Sequence, residues 1–350
     1  MSCINCTSIP HIPTGEQRVY INAAHDYILE RVAALLHTAG IGASIEALQI
    51  SLTTANFREV IEQLAADDSL TTLEREHINI LPLMPEETFD FGKTLQARNL
   101  ESWFTLLHAD TLIGILERGA LRVLFQPIVD VETMAIYGYE CLSRGVLPDG
   151  SLMPPLWMFE AARKTGLLFN LDRQCREACL RAAAEHQIEG HIFINFLPSA
   201  IYNPEFCLRD TVRWAHELEF DARRIVFEVV ETERVEDTEH LKRILTYYKR
   251  SGFRTALDDM GSGYASLNLF ASLHPDILKI DMELVRDIDT IEVKQAVARA
   301  LTQIGQHAGT RVLAEGVETE AEFAWLKQLG VDYMQGYYFG KPAEQPVRSL

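Results

Sequence analysis

Two adjacent carboxylates, Asp258 and Asp259, stand between an apolar run that begins after Gly252 and the glycine-rich segment Gly261-Ser262-Gly263. Side chains alternate between the two faces of a strand, so both acids can face one side only if the second lies where the strand ends. Such a pair suits hard divalent cations, and two cations can hold the attacking and leaving oxygens of a phosphodiester. The alternative is a turn with two solvated acids, since Asp and Gly are common in turns.

The chain around these acids alternates strand-like and helix-like segments. We predict eight strands, at 121–129, 136–142, 191–197, 225–230, 254–258, 277–281, 312–315 and 333–339, and helices at 155–164, 171–184, 239–250, 292–306 and 320–329. This alternation is typical of a parallel sheet joined by crossover helices, and eight strands in about 230 residues predict an α/β fold of the (β/α)8 TIM-like barrel type. Catalytic groups of such barrels gather at the carboxyl ends of the strands.

Polar residues do stand at the ends of these runs. Each of these polar residues, taken alone, can be explained as a strand-end cap or as a surface residue. Together they form a set of acids, amides and a lysine, and burying such groups without partners costs several kcal/mol. The set therefore predicts cations and counter-charges at a shared centre, formed by residues from separate strands, namely Glu140, Arg144, Asn195, Glu228, Glu231, Lys279, Asp281, Glu315 and Gln335.

The composition and the net charge argue against some classes of binding partner. The 350 residues carry 32 basic and 50 acidic side chains, a net charge of −18 that repels duplex nucleic acid and anionic membrane surfaces. A phosphate-bearing ligand therefore needs local Arg, Lys or metal. No run reaches the roughly 18 apolar residues of a membrane-spanning helix, and no secretory signal is evident, so we expect a cytoplasmic protein.

The six cysteines fit that compartment as thiols. Four of them are best explained as packing residues, namely Cys141, Cys175, Cys179 and Cys207. Cys3 and Cys6 have the C-x-x-C spacing of half a zinc site, for which His11 or His25 are conceivable partners. The alternative is that they have no role, because chain ends are usually loose.

The first hundred residues contain no recognisable chemistry. Helical spacing of apolar residues predicts helices at 23–36 and 57–65, and short strands are expected at 45–50 and 78–83. We therefore predict a small, mostly helical or α/β module at 1–93, linker helices at 94–118 and the barrel at 119–345. The module can serve to sense a signal, to dimerise or merely to pack.

Several short segments, taken together, resemble the EAL-domain family in order and spacing. They are FQPIV at 125–129, ECLSR at 140–144, DDMGSG at 258–263, KID at 279–281, EGVE at 315–318 and QGY at 335–337. The resemblance covers about 112–342. The family consists of bacterial phosphodiesterases that hydrolyse cyclic di-GMP to linear pGpG with two Mg²⁺ or Mn²⁺ ions, and the resemblance implies the same reaction, homodimers, and inhibition by Ca²⁺.

The resemblance also implies roles for individual residues. As metal ligands it implies Glu140, Asn195, Glu228, Asp258 and Asp259. Lys279 would orient the water and offset charge, Glu315 is the candidate base, and Gln335 helps to hold the water or the metal shell. Contacts to the nucleotide are implied for Gln126, Arg144, Asp281 and Pro342. For Glu231, Gly261, Ser262 and Gly263 the resemblance implies that they couple the loop that carries Asp259 to the family's dimer.

Two positions depart from the family pattern. Cys141 replaces the usual Ala; since Glu140, Leu142 and Arg144 share one face of the strand, we expect Cys141 to turn toward the surrounding helices and pack as Ala does. Met260 replaces the usual Phe in the loop that carries Asp259. That change puts the rate of hydrolysis and the coupling of the loop to the dimer in doubt more than it does metal binding.

The predicted activity is metal-assisted hydrolysis, in which cations activate a water molecule and strand-end acids fix the cations. The alternative hypothesis is a catalytically silent cyclic di-GMP receptor that signals through its N-terminal domain. A sugar- or nucleotide-processing barrel of another family would need the six motifs to coincide by accident. Gly261-Ser262-Gly263 is no dinucleotide fingerprint, because the third glycine and the ribose acid are missing.

Overall fold

A computed structural model describes residues 9, 11–46, 49–65, 70–107, 109–229, 237–260 and 267–350, without the side chains of Asp259 and Met260. The described chain forms two compact units. The N-terminal unit comprises Ser8–Arg118 and Leu156–Leu168, and the barrel unit comprises Gly119–Pro155 and Phe169–Leu350. In the part of the chain that is described, no helix is long and apolar enough to cross a membrane.

The N-terminal unit is a five-stranded antiparallel sheet with helices. Its elements are β1 Gln17–Ala23, α1 Asp26–Thr38, β2 Ala43–Glu46, β3 Gln49–Thr54, α2 Phe57–Ala65, α3 Thr72–Glu76, β4 Ile78–Leu83, α4 Phe91–Thr94, β5 Arg98–Asn99, α5 Leu100–Leu107, α6 Asp110–Arg118 and α7 Pro155–Thr165. The strand order is β2-β3-β1-β4-β5. In α2, buried Phe57, Val60, Ile61 and Leu64 follow helical spacing and form the face that packs in the core. The expected α/β module is therefore present.

Three details of this unit differ from the sequence-based prediction. Strand β1 is not among the predicted elements, and the single strand expected at 45–50 is two antiparallel strands, β2 and β3. Helix α5 also packs inside the unit, since the ring of Trp103 lies 5.0 Å from that of Phe57 and its Nε1–H donates to Ile80 O at 3.1 Å. The segment predicted as linker helices thus contributes to the core of the N-terminal unit, because apolar spacing cannot reveal which core a helix joins.

The barrel unit contains a closed ring of eight strands. Its elements are β6 Leu121–Asp130, β7 Ile136–Val146, β8 Leu152–Met153, α8 Leu168–Glu185, β9 His191–Phe196, α9 Pro204–Cys207, α10 Arg209–Glu217, β10 Ile225–Val229, α11 Thr238–Arg250, β11 Arg254–Met260, α12 Leu267–Leu273, β12 Ile277–Ile280, α13 Met282–Val285, α14 Glu292–Ala308, β13 Arg311–Ala314, α15 Glu320–Leu329 and β14 Tyr333–Gln335. The ring runs β6-β14-β13-β12-β11-β10-β9-β7 and is closed by pairing of β6 with β7, while the short β8 is added to β7. The predicted barrel is confirmed.

Within the closed ring, strand β6 is the exception to the parallel arrangement, because it runs antiparallel to both β7 and β14. Only residues 131–135 join β6 to β7, and Met134 there adopts a positive φ of 54°. Parallel neighbours need a crossover of a dozen or more residues, so this short turn permits only an antiparallel pair. The sequence-based expectation of a fully parallel sheet is wrong at this strand.

Candidate active site

The polar side chains of the barrel form a layer directly above an apolar plug. The plug comprises Ile128, Phe193, Val226, Ala256, Ile277, Leu313 and Tyr333, all buried and packed together. Residues two apart on a strand share a face, so the next inward positions are polar, namely Asn195, Glu228, Asp258, Lys279, Glu315 and Gln335. On β6, which runs the opposite way, the corresponding residue is Gln126, two positions before Ile128, and it pairs in register with Glu140.

Glu140 is held by two amide side chains. Asn195 Nδ2 donates to Glu140 Oε1 at 2.9 Å, and Gln335 Nε2 donates to Glu140 Oε2 at 2.7 Å. Gln335 Nε2 also lies 3.1 Å from Gln126 Oε1. Because both amides turn their nitrogens toward the carboxylate, their oxygens point elsewhere, and the buried Gln335 Oε1 has no hydrogen-bond partner among the described residues.

Lys279 occupies the centre of a second group of side chains in the polar layer. Its Nζ lies 2.7 Å from Glu315 Oε1, 2.9 Å from Glu228 Oε1 and 3.1 Å from Asp258 Oδ1. Lys279 and Glu228 are fully buried, whereas the side chains of Asp258 and Glu315 are 13% and 16% exposed. Two of the acids thus face the barrel mouth, while Glu228 lies deeper.

Burial and crowding set the protonation behaviour of this cluster. Burial raises the pKa of Glu228 and of Glu315 well above the usual value, and the neighbouring carboxylates act in the same direction. For Lys279, burial lowers the pKa, but attraction to Asp258, Glu228 and Glu315 outweighs it and the pKa is raised. The ammonium is therefore retained, and Glu228 and Glu315 keep their protons to higher pH than free carboxyl groups do.

The donor set fits a divalent cation. Oxygen donors from carboxylates and amides are those that Mg²⁺ and Mn²⁺ prefer, and Glu228 Oε2 and Gln335 Oε1 are buried oxygens with no hydrogen-bond partner in the described part of the chain. Within the same described ranges, no three Asp, Glu, His or Cys side chains already surround one point as in a metal site. Lys279 lies among the carboxylates that would supply those ligands.

The predicted nucleotide-binding residues lie in different settings. Arg144 is half-buried and donates from Nη1 to Ser143 O at 2.9 Å, and burial lowers its pKa against the opposing effect of Glu140. The carboxylate of Asp281 caps α13 by accepting from Glu283 N at 2.7 Å. Pro342 precedes Ala343, which pairs with Phe125 of β6 through two backbone hydrogen bonds. Of these residues, Gln126 belongs to the polar layer itself.

Several predicted residues cannot be placed. The side chain of Asp259, together with that of Met260, lies outside the described residues, although the backbone of both extends β11. Cys3, Cys6, Glu231, Gly261, Ser262 and Gly263 also fall outside the described ranges. Their proposed roles stay predictions.

Cys141 packs on the outside of the barrel, as expected. Cys179 of α8 contacts it, with Sγ 3.7 Å from Cys141 O and 3.5 Å from Ser143 Oγ. The four cysteines in the described part of the chain, Cys141, Cys175, Cys179 and Cys207, are free and buried. Packing is therefore what the structure shows for these thiols.

Sequence reasoning missed Glu322, which supports the loop after Glu315. Its buried carboxylate accepts from three backbone N–H groups, at Asp287, Glu318 and Thr319, over 2.9–3.0 Å. These bonds tie the loop that follows β13 to the segment that follows α13. The signal was available, because Thr319 and Glu322 have the T-x-x-E spacing of a capping box, and both of its hydrogen bonds are present.

Comparison with known proteins extends these observations. The model of the family described as "EAL domain" matches residues 108–342. A protein named "Probable cyclic di-GMP phosphodiesterase PdeG" from Escherichia coli strain K12 is 30% identical over 231 residues, which cover 65% of this chain and 45% of PdeG. The chain therefore spans less than half the length of that curated relative.

Two solved structures show the same architecture. A standalone EAL protein from Vibrio cholerae O395, in a c-di-GMP bound form, is 42% identical, with a TM-score of 0.60, and covers 65% of this chain and 94% of its own. The manganese/cy-diGMP complex of Klebsiella pneumoniae BlrP1 is 22% identical, with a TM-score of 0.58, and covers 94% of this chain and 96% of its own. At that identity, the second comparison concerns the fold alone.

Proposed function

Because this chain belongs to the EAL domain family, we propose that it hydrolyses cyclic di-GMP to linear pGpG with the help of two divalent cations, Mg²⁺ or Mn²⁺. The observation that carries the proposal is the polar layer inside the barrel, in which carboxylates surround Lys279 and buried oxygens of Glu228 and Gln335 lack partners among the described residues. Burying several carboxylates together is unfavourable unless positive charges compensate them. The relatives named for cyclic di-GMP support the choice of substrate.

The cations would be held by Glu140, Asn195, Glu228 and Asp258, with Asp259 as a further ligand from the sequence. When bound, divalent cations supply electrostatic stabilisation of the phosphoryl oxygens and activation of water. Asn195 suits the role because its Nδ2 donates to Glu140 and leaves its carbonyl oxygen for a cation. Gln335 and Asn195 together fix both oxygens of Glu140, so this carboxylate is already oriented before substrate binds.

Lys279 and Glu315 would act on the proton and the charge of the reaction. The ammonium of Lys279 lies within 3.1 Å of three carboxylates, where it offsets their repulsion and offers protons that can orient a water molecule. Glu315 is the candidate base, because it is 2.7 Å from Lys279 Nζ yet part of its side chain is exposed. A base must reach both the buried cluster and the incoming substrate.

Nucleotide binding is assigned to the rim of the polar layer. Arg144 can contact a phosphate with two parallel hydrogen bonds, which a lysine could not do. Gln126 lies in the layer itself, and Pro342 is held beside β6 by the pairing of Ala343 with Phe125. We further propose that Asp281 contributes through the helix cap that it forms, and that the protein acts as a homodimer.

The direct test is product analysis with the 350-residue protein and cyclic di-GMP. We expect pGpG with Mg²⁺ or Mn²⁺, and little or none with Ca²⁺ or a chelator. Glu228→Gln should abolish the product, whereas Glu177→Gln should not, because Glu177 pairs with Arg181 on the partly exposed side of α8 at 2.9 Å. Binding of the nucleotide without turnover under all metal conditions would instead identify a receptor.

A further inference from the structure

A buried ion pair lies behind the candidate active site, on the helix that covers two of its strands. Asp172 and Arg176 stand one turn apart on α8, and each residue is 2% exposed. Arg176 is among the largest fully buried side chains of the described chain. Taking two charges out of water is unfavourable unless their geometry and hydrogen bonds compensate, so this pair calls for an explanation beyond packing.

The pair links the end of one strand to two helices. Asp172 Oδ2 accepts from Arg176 Nη1, while Asp172 Oδ1 accepts from the backbone N–H of Leu197 at 3.0 Å. Arg176 Nε donates to the buried Thr211 Oγ1 of α10 at 3.1 Å. Leu197 is the residue directly after β9, so the pair fixes the carboxyl end of that strand.

This strand end delivers a candidate metal ligand. Asn195 lies two residues before Leu197 and donates to Glu140 Oε1 at 2.9 Å. The same helix also contacts β7, the strand that carries Glu140, through Cys179 Sγ and Cys141 O at 3.7 Å. Helix α8 therefore contacts β7 and the residue that follows β9, the two strands whose side chains Glu140 and Asn195 are hydrogen-bonded to each other.

We propose that Asp172, oriented by Arg176, is a positioning residue for the metal site, because it sets the place of Leu197 N–H and with it the depth and amide orientation of Asn195. The inference rests on the proposed function, in which Asn195 is a metal ligand. A carboxylate locked by a buried guanidinium has a defined direction, and groups that orient a metal ligand from behind are worth about 10–100-fold in metal affinity or activity.

The test measures Mn²⁺ binding directly, by electron paramagnetic resonance of free Mn²⁺ in titrations of the 350-residue protein without nucleotide. We expect Asp172→Asn to weaken binding by about tenfold or more, because the amide can still accept from Leu197 N–H but presents an N–H group to Arg176. Raising Mn²⁺ should restore much of the rate of pGpG formation in this variant. A purely structural role would lower the melting temperature without this rescue.

Two further variants keep the test decisive. Thr211→Val removes the acceptor of Arg176 Nε at nearly constant volume, and we expect a smaller loss of Mn²⁺ affinity in a protein that still folds. Arg173→Gln is the matched control, since it breaks the Arg173–Asp210 pair that joins the same two helices at 3.3 Å where both side chains are 22% exposed. Mn²⁺ affinity should not change in that control.

The outcomes separate the inference from the proposed function. If the wild type binds Mn²⁺ and forms pGpG, but Asp172→Asn and Thr211→Val bind Mn²⁺ as the wild type does, the positioning role is overturned. Should Asp172→Asn fail to fold, Thr211→Val alone decides. A wild type that binds no Mn²⁺ and forms no pGpG would instead overturn the proposed function.

Discussion

At the scale of residues, the candidate site is defined by which atoms already have partners. Both oxygens of Glu140 accept hydrogen bonds from amides, whereas Glu228 Oε2 and Gln335 Oε1 have none within the described ranges. Buried oxygens of this kind are costly unless a ligand or cation uses them. The site is thus arranged around groups that the described side chains do not satisfy.

Replacing Glu140 tests that arrangement. We expect Glu140→Ala to lower kcat at least about a hundredfold, because a lost metal contact removes several kcal/mol of charge stabilisation and each 1.4 kcal/mol is worth a factor of about ten. Cyclic di-GMP should still bind through Arg144. Product analysis and calorimetric titration measure the two effects, and turnover at the wild-type rate would show that the site is misplaced.

Removing the positive charge at the centre gives a second residue-scale prediction. Lys279→Met leaves Glu228, Asp258 and Glu315 without their buried counter-charge, and breaking such a pair typically costs about 3–5 kcal/mol. We expect a lower melting temperature, and a larger rise on adding Mn²⁺ than in the wild type, since a bound cation stabilises the folded state. Thermal unfolding with and without Mn²⁺ measures this, with Lys242→Met on α11, whose side chain is 52% exposed, as the exposed-lysine control. Equal Mn²⁺ responses would contradict the prediction.

At the scale of elements, the two ends of the barrel differ in chemistry. The strands carry polar side chains toward their carboxyl ends and aromatic rings at their amino ends. At the amino ends, Tyr137 stacks between His191, with centroids 4.1 Å apart, and Tyr333, at 4.0 Å. Glycine is required beside this stack, because a Cβ on Gly138 of β7 would lie 2.3 Å from His191 O. The close approach of β7 and β9 thus holds Glu140 and Asn195 within hydrogen-bonding distance.

The stacked histidine predicts a pH dependence of stability. Burial and the nearby Arg254 lower the pKa of His191 to about 4 from the usual 6.5. Between these values the unfolded chain binds a proton that the folded chain does not, so stability falls as the pH drops from about 6.5 toward 4. We expect His191→Gln to be less stable at neutral pH but to lose less stability over this range.

Urea unfolding of both proteins at pH 7, 6 and 5 checks the histidine prediction. The difference between the two curves isolates His191 from the buried carboxylates with a raised pKa, Glu228 and Glu315, which are the same in both proteins. Parallel dependence on pH in the variant and the wild type would show that His191 does not contribute.

At the scale of the whole molecule, the chain divides into two units that are not contiguous in sequence. The N-terminal unit takes residues Leu156–Leu168 from within the barrel segment, and it also includes helices α5 and α6. Leu100, Trp103, Leu106 and Leu107 of α5 are buried in it. A single truncation point in the sequence therefore does not separate the two units cleanly.

The choice of truncation point tests this division. A chain that starts at Leu100 keeps α5 but removes Phe57 and Ile80, its partners, so we expect exposed apolar surface and aggregation. A chain that starts at Gly119 removes α5 as well and should aggregate less. Light scattering and dye binding compare the two, and a monodisperse protein starting at Leu100 would contradict the prediction.

The amino-acid sequence by itself determined most elements of the barrel and its interior polar positions. The period of two along a strand is a local property of the backbone, so Asn195, Glu228, Lys279 and Glu315 can be assigned to one layer from strand pattern alone. Helices 57–65 and 320–329 are predicted with the bounds that the structure has. These features depend on residues that are close in sequence.

Only the tertiary structure decided the rest, because the deciding contacts join distant residues. Gln335 and Glu140 are 195 positions apart, and no local pattern shows which amide nitrogen meets which carboxylate oxygen. The antiparallel direction of β6, the membership of α5 in the N-terminal unit and the buried link from Asp172 to Leu197 likewise depend on how the chain closes on itself. Local sequence thus determined which side chains face inward, and the closed fold determined which of them meet.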